Sequence, residues 1–149
     1  MGHLEYRLHD RESGFPVLYH YEHMDSGEIS NRLLCDYFIK DDQVFAKLST
    51  AVGSEEVILF VTEAEDEEVI NEERVTRPDW EGIRLEIRHY KEGAVYYPVV
   101  KYLHFSSHGE VSPYLASDSF CVDGSEWRKT STEIDENRKV FVIYGEPMK

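Results

Sequence analysis

Residues 83–105 read IRLEIRHYKEGAVYYPVVKYLHF. Ile83, Leu85, Ile87 and His89 fall on one side of an extended chain; Arg84, Glu86, Arg88 and Tyr90 fall on the other. This period of two marks a β-strand with one packed face and one wet face. Lys91-Glu92-Gly93 follows as a turn, with glycine placed for a left-handed residue. The chain then returns through apolar and tyrosine-rich residues to Phe105. The stretch predicts a hairpin with a three-residue loop. His89 then opposes Val95, Ile87 opposes Tyr97 and Leu85 opposes Val99. Pro98 has no N–H for a ladder, so a bulge or an outward edge is expected beside it.

Similar segments lie on both sides of this stretch. Leu4, Tyr6 and Leu8 alternate with Glu5, Arg7 and His9, and Phe15 to Tyr21 reads as a second strand. Asp25-Ser26-Gly27 is a turn signal. Residues 31–50 predict another hairpin around Asp41-Asp42. It sets Lys40 against Gln43, Ile39 against Val44, Phe38 against Phe45 and Tyr37 against Ala46, with an Asp36–Lys47 ion pair and Cys35 opposite Leu48. Val57 to Val61 is continuously apolar, as a strand covered on both faces would be. The acidic run from Glu63 to Glu73 reads as a solvated face. Residues 110–120, with Pro113, read as a loop or one short helix. Phe120 to Val122 reads as a strand ended by Asp123-Gly124, and Trp127 to Ile134 with Lys139 to Tyr144 as a last hairpin. No internal repeat and no linker stands out. The pattern predicts one β-dominated domain over residues 1–149: an antiparallel β-barrel or two-sheet sandwich of nine to eleven strands with at most two short helices. A closed barrel of this kind is similar in general shape to the intracellular lipid-binding and lipocalin-like proteins, a likeness that fixes no function.

Thirty Asp and Glu against 16 Lys and Arg give a net charge of −14, which argues against nucleic acid and anionic membrane as partners. No apolar run reaches the length of a transmembrane helix. Cys35 and Cys121 stand far apart and outside any CxxC, as two buried free thiols of a cytoplasmic protein would. His20 with His23, and His104 with His108, lack dependable zinc spacing, so no metal is expected. No glycine-rich phosphate loop occurs, and no cofactor is expected. No nucleophile and base stand at an informative spacing, so no catalytic residue is assigned. Glu86, between arginines, reads as part of a surface ladder.

The remaining candidates are Tyr90, Tyr96 and Tyr102, with Arg84 and Arg88 on the same semi-polar face. Tyrosine offers an apolar body and a polar tip, which suits a protein interface. His89, at the edge of the apolar face, is the candidate pocket residue. The expected function is therefore a non-enzymatic regulatory or accessory domain that binds another protein. A barrel binding a small apolar ligand is the first alternative, and a small hydrolase or isomerase the second.

Overall fold

A computed structural model describes residues 2–67, 69, 75 and 77–148. Among these residues the elements are β1 (Gly2–Leu8), β2 (Val17–Met24), α1 (Ser26–Leu34), β3 (Tyr37–Lys40), β4 (Gln43–Val52), β5 (Val57–Glu63), β6 (Ile83–His89), β7 (Val99–Phe105), α2 (His108–Ala116), β8 (Ser119–Val122), β9 (Ser125–Asp135) and β10 (Val140–Pro147). The strands form one sheet in the order β2-β1-β5-β4-β3-β9-β10-β6-β7, with β8 against β9. The β-dominated fold with two short helices is as expected. The all-antiparallel barrel or sandwich is not what forms. β1–β5, β3–β9 and β6–β10 pair in parallel, and the sheet is not closed. Parallel strands need both faces covered, and the apolar runs of β5 and β10 supply that.

The topology also contains two copies of one ββαβββ unit, contrary to the expectation of no repeat. The first copy pairs as β2-β1-β5-β4-β3 and the second as β7-β6-β10-β9-β8, with the same sense at every step. Residues from Pro16 to Thr50 map onto Pro98 to Thr132 at one constant spacing, with Gly27-Glu28 on Gly109-Glu110, Asp36 on Asp118 and Lys47 on Lys129. The bonding repeats as well. Lys47 Nζ donates to the Leu33 carbonyl at 2.7 Å, and Lys129 Nζ to the Leu115 carbonyl at 2.6 Å. Each lysine thus ties a strand to a helix C-terminus, where the carbonyls need donors. A bulge interrupts β4 at Leu48 and β9 at Thr130. The repeat is hard to see in the sequence because many identities fall on caps, turns and polar ties, and although Leu4 matches Leu85 and Phe38 matches Phe120, other core positions differ, Tyr6 corresponding to Ile87 and Phe45 to Trp127.

Both helices lie on one face. Leu4, Tyr6, Ile29, Leu85, Val111 and Leu115 belong to a single buried cluster that spans the two copies. The first helix starts where a turn was expected, because the Asp25 carboxylate accepts from the N–H groups of Gly27 and Glu28 and caps it. The β3–β4 register is as read from Lys40–Gln43 to Tyr37–Ala46. Beyond it, the Lys47 N–H still donates to the Asp36 carbonyl at 2.9 Å, but the expected ion pair does not form, because the Asp36 carboxylate accepts from Thr132 and Lys47 Nζ donates to Leu33; Cys35 ends α1 and the bulge displaces Leu48.

The β6–β7 register differs from the expected one. Leu85 opposes Leu103 and Ile87 opposes Lys101, because residues 90–98 leave the ladder altogether. Tyr90 N–H bonds to Gly145 of β10, and the His89 N–H meets the Pro98 carbonyl. Gly82 (φ +73°) sets the far end: a Cβ there would stand 2.2 Å from the Phe105 carbonyl oxygen. Cys35 is buried, and burial pushes its thiol well up; Cys121 is exposed, contrary to expectation. No helix among the described residues is long and apolar enough to cross a membrane.

Candidate functional site

Side chains that alternate away from the helices meet on the opposite face of the sheet. There β6 supplies Glu86 and Arg88, β9 supplies Glu133 and Asp135, and β10 supplies Val142 and Tyr144. Tyr37 of β3 stands opposite Glu133 and brings the first copy into the site. The 90–98 segment folds over this face. Its Tyr90 and Tyr97 rings lie 5.2 Å apart, and Tyr97 meets Tyr144 edge-on at 5.6 Å. Asp66 and Glu67, after β5, reach the same place. Tyr37, Asp66, Glu67, Arg88, the 90–97 tyrosines, Glu133 and Tyr144 line a cavity of about 530 Å³.

A buried ionic cluster adjoins the cavity and reaches its lining through Arg88 and Glu133. Glu86, Arg88, Glu133, Asp135 and Arg138 are each 4% exposed or less. Glu86 accepts from Arg88 Nε at 2.9 Å through one oxygen and from Arg138 Nη1 through the other. Arg138 Nε donates to Asp135 at 2.9 Å. Arg88 Nη1 donates to the Tyr97 carbonyl at 2.9 Å, which anchors the covering segment. Buried charges survive only when paired in this way. Glu133 is different. Its Oε2 accepts from the Tyr144 hydroxyl at 3.0 Å, and no donor among the described residues reaches Oε1. Burial, reinforced by the charge of Asp135, pushes the Glu133 carboxyl up to about 8, against the smaller pull of Tyr144, Arg138 and Arg88. Burial and then Glu133 push the Tyr144 hydroxyl above its ordinary range.

This shift has a direction in stability. Folded Glu133 holds its proton up to about pH 8, whereas the unfolded residue loses it near 4.5. Its contribution is therefore fully present below about pH 4.5 and is lost as pH rises through about 8. Glu133→Gln should flatten the fall in stability between pH 5 and 8.5, measured by urea unfolding. An unchanged slope would show that Glu133 does not carry it.

The expected site residues divide. Tyr90, Tyr96 and Arg88 line the cavity. Arg88 lies beneath Tyr96, 5.6 Å from its ring centre, and is buried, so it does not offer the exposed contact expected of it. Arg84 and Tyr102 stand on the same face in a separate stack, with the guanidinium 3.8 Å from the Trp80 ring and 4.5 Å from the Tyr102 ring. His89 faces the helices, edge-on to Trp127 at 5.1 Å, and does not enter the cavity. Glu86 is buried between Arg88 and Arg138, not part of a surface ladder. Tyr97, expected opposite Ile87 on the packed face, lines the cavity instead, and Glu133, Tyr144 and Tyr37 are not singled out by the sequence. The available signal was Glu133-Ile134-Asp135, two acids one period apart in a strand leading into an apolar hairpin. Part of the acidic run, residues 68 and 70–73, lies outside the described residues.

A second cavity, of about 300 Å³, opens beside α1. There Arg32 is held by Glu28, Glu136 and the Tyr6 hydroxyl, so its charge is balanced. No group of three potential metal-ligating side chains gathers among the described residues. No family model, curated protein or solved structure matches the chain, so its chemistry is read from its own geometry.

Proposed function

We propose that this chain is a non-enzymatic, cytoplasmic regulatory or accessory module that binds another protein through its helix-free sheet face. The observation that carries this reading is the apolar collar around the cavity. Val95 is 96% exposed and Tyr96 57%, both in the cavity lining, and Tyr102, 45% exposed, stacks on Arg84 elsewhere on the same face. Aromatic groups that keep a polar tip wet are the side chains that anchor protein interfaces. An apolar ligand fits this cavity poorly because the ionic cluster reaches its lining and its sheet is not a closed barrel. The hydrolase or isomerase reading lacks an activated nucleophile: Tyr144 is held protonated, and Thr130 Oγ1 donates to the Tyr144 carbonyl.

The test is capture from host extract on immobilised protein, followed by binding measurements with the purified partner. Tyr96→Ala should weaken binding about tenfold or more, as truncation of an aromatic anchor does, with circular dichroism unchanged. Equal binding by the parent and a Tyr96→Ala/Tyr102→Ala double variant would reject this face. A copurifying small molecule that protects the fold, with no partner recovered, would replace the reading with ligand binding.

A further inference from the structure

We propose that the cavity is a cation site that receives the side-chain ammonium of a lysine presented by the partner protein, with Glu133 as its counter-ion. This rests on the protein-binding reading above and names what the partner must carry. The charges beside the cavity lead to it. Arg88 and Glu133 line the cavity, and both belong to a buried ionic cluster that also holds the carboxyls of Glu86 and Asp135 and the guanidinium of Arg138. Both oxygens of Glu86 are bound to arginine, and Asp135 is bound to Arg138. Among the described residues the Tyr144 hydroxyl is the only hydrogen-bond donor to the Glu133 carboxyl, and it is neutral. With all five of these groups ionised, their own charges sum to one uncompensated negative charge. A proton on Glu133 balances it in the free protein, and a cation from outside balances it in a complex.

The surroundings favour that cation. Tyr37, Tyr90, Tyr96, Tyr97 and Tyr144 line the cavity, and tyrosine rings attract ammonium and shelter its aliphatic stem. Asp66 and Glu67 add negative charge, and the net charge of −14 draws cations toward it. Arg88 would oppose a cation, but its charge is neutralised by Glu86 and its Nη1 is held by the Tyr97 carbonyl. An anionic ligand would meet Glu133, Asp66 and Glu67, while the nearby described cations, Arg88 and Arg138, are already engaged by Glu86 and Asp135. Lysine fits better than arginine. A guanidinium prefers both oxygens of a carboxylate, and one oxygen of Glu133 is taken by Tyr144.

The first copy of the repeat serves as an internal control. There the Glu5–Arg7 pair occupies the place of Glu86–Arg88, with Arg7 Nη2 2.6 Å from Glu5. Ala51 and Phe60 hold the positions of Glu133 and Tyr144. The ion pair therefore belongs to the shared architecture, whereas the carboxyl and the hydroxyl that bonds it are additions of the second copy. Support of the sheet does not require them.

The probe is the peptide acetyl-Gly-Lys-Gly-amide, titrated by NMR against the same peptide with norleucine in place of lysine. The lysine peptide should shift the Glu133 carboxyl and Tyr144 ring resonances saturably, and the norleucine peptide should not. Its apparent affinity should rise about tenfold from pH 6 to pH 7 and level off above about pH 8, because the ammonium must displace the Glu133 proton. Glu133→Gln should abolish these shifts. The double variant Glu133→Ala/Tyr144→Phe, which installs the first copy's residues, should abolish them in a folded protein. Equal binding of both peptides, or undiminished binding by Glu133→Gln, would overturn the site. Tighter binding of the arginine peptide would overturn the choice of lysine, and butylammonium chloride binding as tightly as the peptide would assign the site to a free amine. Partner capture separates the two proposals. Capture lost with Tyr96→Ala but kept with Glu133→Gln rejects the cation site alone, and capture lost with neither rejects the binding face.

Discussion

Replacing Arg138 with Met should destabilise the protein by about 3–5 kcal/mol, the range for breaking a buried ion pair from one side. Arg138 is 4% exposed and binds two carboxylates that are themselves buried, Glu86 and Asp135. Methionine fills much of the volume but leaves Asp135 without its guanidinium and Glu86 with Arg88 alone. The cost is therefore dominated by uncompensated charge, not by lost packing. That origin gives a second readout. The orphaned carboxyls can neutralise themselves by taking up protons, so the deficit should be smaller at pH 5 than at pH 8. Urea unfolding of parent and variant at both values checks this. A loss below about 1 kcal/mol, or one independent of pH, would mean that solvent already relieves the cluster.

Leu85→Ala should cost about 2–5 kcal/mol through lost transfer energy and a residual cavity. Leu85 is fully buried between β7 and β10. Its counterpart Leu4 is equally buried, between β2 and β5, and both belong to the cluster on which α1 and α2 pack. If the two copies fold as one domain, each substitution lowers a single unfolding transition and neither splits it. Two separated transitions in either variant, with only one moved, would mean that the copies melt independently.

How much of this was legible depended on where the determining contacts lie. The β3–β4 hairpin could be read residue by residue because Asp41-Asp42 and the alternation around it fix the register locally. β5 announced its two covered faces in a run of five apolar residues. The parallel pairings were not legible, since nothing within β1 says that a strand some fifty residues later will lie beside it. The β6–β7 register was misread because Lys91-Glu92-Gly93 looks like a complete turn, while the true constraint is Gly82 against Phe105 at the opposite end. Tyr90, Tyr96 and Arg88 were found by alternation alone. Glu133 and Asp135 were not, because alternating acids read as solvent-facing, whereas Glu133 faces a cavity walled by residues 90–97 and Asp135 is buried against Arg138.

The strand order reads nearly the same from either edge, β2-β1-β5-β4-β3 mirrored by β8-β9-β10-β6-β7. Two identical chains related by a two-fold axis would build such a sheet, and each would be bound to carry whatever the other carried. Fusion into one chain lifts that obligation. Glu133 and Tyr144 appear in one half, Ala51 and Phe60 in the matching places of the other. The molecule keeps the architecture of a symmetric pair but has the valence of a monomer. Under the binding scheme proposed above it would engage its target one to one, and it could not crosslink two targets through equivalent sites as a symmetric dimer would.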